Sequence, residues 1–498
     1  MYEHLETAAQ PDGLRRVVID PLSRVEGHGK ITLLLDEQRR VRQARLHIVE
    51  FRGFEKFIQG RPFWEVPTLV QRLCGICPVS HLLAASKATD AFVLGHTPVP
   101  PAAIRLRRLL HFGQLLQSHA LHFFHLASPD LLFGTADDVK HRNIAGVLHD
   151  APELGMMGIR LRKYGQEIIR VLTGKRVHGT GSIPGGFNKP LSAADRLLLQ
   201  QDLPNVLSWA QQGLALAKRL FLAGPTHRDF AAAPSNFLSL VGPDGALELY
   251  NGKLRARSVD GSLLFDQADP RRYAELIHEQ VKPWSYMKFP FLTALGPERG
   301  WYRVGPLARI NNCDYIPTPL AETARQEFMA QGGGAPVQAT LAYHWARMIE
   351  LLHCAEAIAE LLDDPDLLDT QLLAQGDGVR EAVGVIEAPR GTLFHHYRID
   401  DNDLIEMANL IVSTTSNNQA MNESVRAVAA EEFDGRELSE PLLNRIEMAI
   451  RAYDPCLSCA THAMGKMPLR IEAIGADGSM VDCLIKDSNG QLRRDVAA

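Results

Sequence analysis

RLCGICPVSH at residues 72–81 and DPCLSCATH at residues 454–462 each carry two cysteines three positions apart, followed within a few residues by a histidine. Within one C-x-x-C, a turn or first helical turn brings both sulfurs to the same side, where they can converge on one ion. Two such pairs offer four thiolates, a donor set for a soft or borderline metal: zinc, an iron-sulfur cluster, or nickel with iron. The pairs lie toward opposite ends of a chain of 498 residues. A structural zinc ribbon places its second pair about 15–20 residues after the first. A metal clamping two distant segments is harder to assemble than a local knot, and is expected to be there for chemistry.

The remaining cysteines fit this reading. Seven in all, Cys74, Cys77, Cys313, Cys354, Cys456, Cys459 and Cys483, are an odd number in a long chain with no secretion signal, which argues against a disulfide framework. Cys313, Cys354 and Cys483 have no paired spacing and read as buried or free thiols. The opening MYEHLETAAQPDG is acidic and lacks an apolar core, and no 18-residue apolar run occurs, so the expectation is a cytoplasmic chain without a transmembrane segment. A formal charge of −5 lacks the concentrated positive field that nucleic-acid binding requires. With 46% hydrophobic and 22% charged residues, the composition is that of an ordinary globular protein.

Around the thiol pairs the patterning predicts an α+β protein, mainly helical. The first fifty residues alternate in the strand manner and predict a small N-terminal β-sheet. Apolar residues at three-to-four spacing near 104–126, 193–222, 337–363 and 437–452 predict a central bundle of long helices. Alternation returns at VGVIEAP and at PLRIEAIGADGSMVDCLIKD, whose central Gly-Ala-Asp-Gly predicts a hairpin of short C-terminal strands. No internal repeat is present. HGTGSIPGG does not have dinucleotide-binding glycine spacing, so NAD is not expected on this chain.

Taken together, RVEGHGKI (24–31), FRGFEKF (51–57), RLCGICPVSH, GKRVHGTGSIPGG (174–186), EAPRGTLFHHY (387–397) and DPCLSCATH resemble the motifs of nickel-iron hydrogenase large subunits, in the family's order. PWSYMKFP (283–290) and YRVGPLARIN (302–311) are similar to the NAD-reducing bidirectional subgroup. The resemblance implies the large-subunit fold over residues 1–462. It also implies reversible, heterolytic cleavage of H2, with electrons passed to an iron-sulfur small subunit, then on to diaphorase subunits carrying FMN and NAD.

The resemblance further implies site residues. Nickel would be held by Cys74, Cys77, Cys456 and Cys459, and iron, bearing carbon monoxide and cyanide, would share Cys77 and Cys459. Cys456 would be the first proton acceptor and Glu26 the next relay, since a carboxylate can pass on a thiol's proton when their affinities lie close. Arg390 would stand over the open metal position, oriented by Asp454; a guanidinium can polarise bound hydrogen without losing its own proton. Ser118 takes a position in these surroundings often filled by aspartate. Glu55, the Leu410 carbonyl and His462 would hold magnesium, a hard cation suited to oxygen donors. His81 would support a bridging sulfur from outside the ligand set, and His178 would face the partner's nearest iron-sulfur cluster.

His119, His122 and His125 recur every third residue and are read as packing or hydrogen-bonding groups on a helix face. Residues 463–498 resemble an extension that a maturation protease removes after His462 once nickel-insertion factors have acted; the bland reading is an ordinary terminal hairpin. Within the family another electron carrier is the alternative. Outside it stand a structural zinc protein and the metal-free scaffold of a related quinone oxidoreductase, a class that lacks the thiol pairs.

Overall fold

The structure is a computed structural model; it describes residues 15–461 except 21, 39, 49–52, 135–140, 225, 283 and 434–439, together with the strand backbones Leu469–Ile474, Met480–Lys486 and Leu492–Asp495. Strands Arg15–Ile19, Gly29–Leu35 and Val41–Ile48 form an antiparallel meander, as the early alternation predicts. Helix Asn418–Phe433 packs on its third strand, where Asn422 Oδ1 accepts the Leu46 N–H at 2.8 Å. The middle strand is buried from Ile31 to Leu35, so the sheet is part of the core.

Long helices supply the rest of the frame. Pro78–Leu94 and Pro101–Leu121 each begin with proline, whose missing N–H is no loss in a first turn. Pro101–Leu121 runs on through a π-type turn at His122–Ala127 and packs on Pro152–Thr173. Ala342–Asp363 is buried on almost every side, including Trp345, Met348, Ile349 and Leu351. The helix predicted at 193–222 is present, and the one predicted at 437–452 is found as Glu440–Ala452. Pro78–Leu94 is not prominent in the sequence because it is buried nearly all round, and its polar residues, among them Ser80, His81, Ser86 and Asp90, form no stripe.

Further sheets fill out the fold. Tyr302–Arg303, Asn236–Val241, Lys253–Arg257 and Leu263–Ala268 lie in that order, the first pair parallel. Glu381–Ala388, Gly391–Ile399 and Ile405–Ile411 form an antiparallel meander against helix Pro78–Leu94. The predicted C-terminal hairpin pairs Leu469 with Lys486, and a third strand, Leu492–Asp495, joins it. One hydrophobic cluster contains side chains of the N-terminal sheet, the long helices and all four paired cysteines. The thiols therefore sit in the core rather than on a surface loop.

Candidate metal centre

The two C-x-x-C motifs meet. One ligand-type atom from each of Cys74, Cys77, Cys456 and Cys459 lies within 4.8 Å of all the others, and Cys74 Sγ is 3.4 Å from Cys456 Sγ. All four residues are at most 5% exposed. Cys77 caps the N-terminus of helix Pro78–Leu94, while Cys74 ends the short turn Gln71–Leu73 in extended backbone. That change of backbone turns both side chains inward. The N–H groups of Ile76 and Cys77 each donate to Cys74 Sγ at 3.2 Å, which favours thiolate there.

The thiols divide electrostatically. Burial opposes ionisation of Cys74, but hydrogen bonds from Cys456, Cys459 and Cys77 and the charge of Arg390 bring its pKa well below the usual thiol value. Hydrogen bonds from Cys456 and Cys459 bring Cys77 down to about 6. Cys456 and Cys459 are pushed up, first by burial and then by the neighbouring sulfurs. Four buried sulfurs this close cannot all ionise without a compensating cation. The donor set fits a thiolate-loving metal centre.

An ion-pair web holds the chain ends together around this cage. Asp130 takes Arg24 on one carboxylate oxygen and Arg451 on the other. Arg451 Nε donates to the Ser23 carbonyl at 3.1 Å, and Glu447 Oε1 accepts the Ser23 N–H at 2.7 Å. Two residues beyond Arg24, Glu26 pairs with Cys456 as an isolated parallel bridge, and the Leu457 N–H donates to the Glu26 carbonyl at 3.0 Å. The Glu26 carboxylate accepts from Cys456 Sγ at 2.9 Å and from the Ser458 N–H at 3.2 Å, and also bonds the Ser458 hydroxyl. Gly27, at φ 81°, permits this approach, since a Cβ there would come within 2.7 Å of Ser458 N. Glu26 is partly exposed, so it joins the buried thiol to the surface of the chain.

Above the thiols lies a cavity of about 10 Å³, room for one water-sized molecule, lined by Cys77, Cys456, Cys459, His81, Arg390 and Thr414 among others. Arg390 donates to the Asp454 carbonyl at 2.6 Å from Nε and to Asp454 Oδ1 at 3.0 Å from Nη2. Its buried Nη1, and Asp454 Oδ2, have no hydrogen-bond partner among the described residues. Burial works against the Arg390 charge, but Asp454 and the cysteine sulfurs raise its pKa well above the usual value. An orphaned donor on a permanently charged group beside a small cavity suits a polar or anionic guest. Ser118, buried on helix Pro101–Leu121, likewise has a hydroxyl without a partner among the described residues.

The other expected residues fall around this centre. His81 lines the cavity, with Nδ1 3.1 Å from His395 Nε2, and His395 Nδ1 is 2.5 Å from the Tyr397 hydroxyl. His178 is half-buried at φ 55°, its Nε2 3.0 Å from the Cys74 carbonyl and its Nδ1 3.1 Å from Arg72. Glu55 Oε1 accepts the Leu410 N–H at 2.8 Å and lies 3.9 Å from Lys288 Nζ, which also reaches Glu279 at 3.2 Å. Burial raises the pKa of both Glu55 and Glu279, and Glu279 Oε1 has no partner among the described residues. Glu55 and Glu279 are partly buried and share the Lys288 ammonium between them. His462 and the cleavage position after it lie outside the described residues.

Two of the three histidines of the stripe form hydrogen bonds, as expected. His119 Nε2 is 2.9 Å from Glu350, and His122 Nε2 is 2.7 Å from the Arg451 carbonyl. Cys313 and Cys354 are buried, and burial raises both thiols, Cys313 to about 12. Cys483 lies in strand Met480–Lys486. Sequence reading missed three site residues. Thr414 Oγ1 accepts the Cys456 N–H at 3.0 Å, Ser413 donates to the Gly391 carbonyl at 2.6 Å, and Ser458 binds Glu26. Ser458 stood inside the C-x-x-C itself, while Ser413 and Thr414 belong to a hydroxyl-rich run, STTS, just after a strand.

Comparison with known proteins places these features in a family. Residues 52–139 and 261–462 match the nickel-dependent hydrogenase family, and residues 16–51 match a HoxL-like family. The chain is 46% identical over 485 residues to the beta subunit of the NAD-reducing hydrogenase HoxS of Cupriavidus necator, covering 94% of this chain and 99% of that one. It is 42% identical over 480 residues to a polypeptide of the F420-non-reducing hydrogenase of Methanothermobacter marburgensis, covering 94% and 99%. A crystal structure of an NAD+-reducing [NiFe]-hydrogenase in the H2-reduced state superposes with a TM-score of 0.88 at 55% identity, over 90% of this chain and 99% of that chain. The [NiFeSe]-hydrogenase of Dm. baculatum, at 22% identity and a TM-score of 0.73 over 90% of this chain and 100% of that chain, shares the fold.

Proposed function

The chain belongs to the nickel-dependent hydrogenase family, and we propose that it is the large, catalytic subunit of a reversible [NiFe] hydrogenase whose electrons pass through an iron-sulfur small subunit to NAD. The observation that carries this is the buried cage of Cys74, Cys77, Cys456 and Cys459 under Arg390. A nickel-iron centre held there would supply the electron-rich site at which H2 is split heterolytically. Nickel would take all four sulfurs. Iron, with its carbon monoxide and cyanide, would share Cys77 and Cys459.

The chain's own residues then handle the proton. Cys456 Sγ takes it, and Glu26 Oε2, at 2.9 Å, is within direct transfer distance. Ser458 holds the Glu26 carboxylate in line from its N–H and hydroxyl. Arg390 keeps a fixed positive charge over the cavity, aimed by its two bonds to Asp454. Thr414 fixes the backbone of Cys456. His81 braces the cavity wall from outside the ligand set through His395 and Tyr397.

Glu55, the Leu410 carbonyl and His462 would hold magnesium, and the carboxyl-rich surroundings of Glu55 and Glu279 support a cation there. His178, bonded to the Cys74 carbonyl and half-buried, would face the small subunit's nearest cluster. FMN, NAD and the iron-sulfur clusters belong to partner subunits, including a diaphorase. Likeness to the NAD-reducing hydrogenase supports a cytoplasmic location for the complex; no helix among the described residues is long and apolar enough to cross a membrane. Residues 463–498 would be removed after His462 by a maturation protease, once insertion factors have delivered nickel.

Infrared spectroscopy and metal analysis of the complex purified through this chain test the reading. The expected result is nickel together with carbon monoxide and cyanide bands, and H2-dependent reduction of NAD. Zinc alone, with no such bands, would end it; the bands without NAD reduction would reassign only the electron carrier.

A further inference from the structure

Arg390 stands at the tip of a hairpin. Ala388 pairs with Gly391, so Pro389 and Arg390 alone close the turn between strands Glu381–Ala388 and Gly391–Ile399. A turn residue has no ladder partner of its own, and its direction must be set from outside the sheet. Asp454 bonds the guanidinium at its far end. The backbone end is gripped by another arginine.

Arg309, on helix Pro306–Asn312, is fully buried. Its Nη1 donates to Glu387 Oε2 at 2.7 Å and to the Ala388 carbonyl at 3.0 Å, and its Nη2 reaches the Pro389 carbonyl at 3.3 Å. One planar fork thus holds the three residues that precede Arg390. Nη2 also donates to Glu350 Oε2 at 2.7 Å, and Nε bonds Glu350 Oε1. The two carboxylates are anchored in turn: Glu350 by His119 Nε2 at 2.9 Å, Glu387 by the Leu240 N–H at 2.8 Å and the Thr392 hydroxyl at 2.7 Å. On the other side, Gly305 at φ 93° lets the turn close in, because a Cβ there would come within 2.8 Å of the Arg390 carbonyl.

We propose that Arg309 is a positioning residue for the chemistry of this site, resting on the hydrogenase reading above: its guanidinium locks the Glu387–Pro389 backbone so that Arg390 keeps its charge over the thiolate cage. A lysine is a single point charge and cannot serve acceptors spread over Glu350, Glu387, Ala388 and Pro389 at once. Shape as well as charge is required at this position.

The test compares wild type, Arg309→Lys and Thr392→Val in the complex purified with its small subunit. Thr392→Val removes only the hydroxyl that steadies Glu387. In Arg309→Lys, H2 uptake per bound nickel falls about tenfold or more, by the scale of misplaced electrostatic groups, while KM for H2 stays within about twofold. The carbon monoxide and cyanide bands shift, and a crystal structure shows the 2.6 Å contact from Arg390 Nε to the Asp454 carbonyl lengthened beyond hydrogen-bonding distance. Thr392→Val moves rate and bands in the same direction by a smaller amount. A melting temperature that drops while rate per nickel, bands and contact stay as in wild type would overturn the proposal. Should Arg309→Lys fail to accumulate, an unchanged rate and unchanged bands in Thr392→Val overturn it instead. If wild type itself lacks the bands and H2 uptake, the hydrogenase reading fails, and the crystallographic contact alone decides whether Arg309 aims Arg390.

Discussion

The thiol of Cys456 and the carboxylate of Glu26, 430 positions apart in sequence, stand 2.9 Å apart, with Ser458 bonded to the same carboxylate. In the proposed mechanism this contact is the proton's first step away from the thiolate cage. Glu26→Gln keeps the shape and a hydrogen bond but cannot carry the proton. H2 oxidation is expected to fall about 100-fold or more, the range of a lost general acid–base group, while infrared bands and nickel content stay near wild type. Glu26→Asp retains the carboxyl and recovers part of the rate. An unchanged rate in Glu26→Gln would send the proton by another route.

Replacing any one of the four paired cysteines with serine should abolish nickel binding, because an alcohol does not ionise to a soft donor near neutral pH. Metal analysis of Cys77→Ser and Cys459→Ser is the direct check. Retention of full nickel by either variant would contradict the ligand set.

Asp130→Asn should loosen the junction of the two chain ends. Asp130 is 4% exposed and serves both Arg24 and Arg451, so removing its charge takes the carboxylate from partly buried Arg24 and leaves buried Arg451 with Glu447 as its sole carboxylate among the described residues. The expected cost is about 1–3 kcal/mol, the penalty of leaving buried hydrogen-bonding groups short of a partner. Calorimetry should show a lower melting temperature, and turnover should fall as Glu26 and Cys456 drift apart. A melting temperature equal to wild type would show that the web carries no stability.

Acid should destabilise the chain before its carboxylates titrate. Burial holds His111 and His344 at about 3 and His119 and His353 at about 4, against an ordinary histidine near 6.5. Below the ordinary value the unfolded chain takes up protons that the folded chain refuses, so stability falls as pH drops from about 6.5 toward 4 and is flat above about 7 with respect to these groups. Each group contributes about 1.4 kcal/mol per pH unit inside that window. Melting temperatures between about pH 7.5 and 5.5 should decline, and less steeply in His344→Gln. No decline at all would show that these rings titrate normally.

Mass spectrometry of active complex should find this chain ending at His462. Cys456 and Cys459 are already buried in the chain that carries the tail, so the expectation rests on the resemblance of residues 463–498 to the removable extension of the family. Active enzyme that retains residues 463–498 would refute processing.

The sequence by itself determined the chemistry's ingredients: two C-x-x-C motifs, a glutamate in RVEGH, an arginine in EAPRG, and the long amphipathic helices around them. These were legible because ligand spacing and hydrophobic period are local properties of a chain. It did not reveal helix Pro78–Leu94, whose nearly complete burial leaves no stripe to read, nor Thr414 and Arg309, whose roles depend on residues far away in sequence. Only the tertiary structure decided that Glu26 meets Cys456, that Asp130 ties Arg24 to Arg451, and that Arg309 holds the turn beneath Arg390. Contacts between distant segments are set by packing in a dense core, where each buried charge must find its partner in three dimensions.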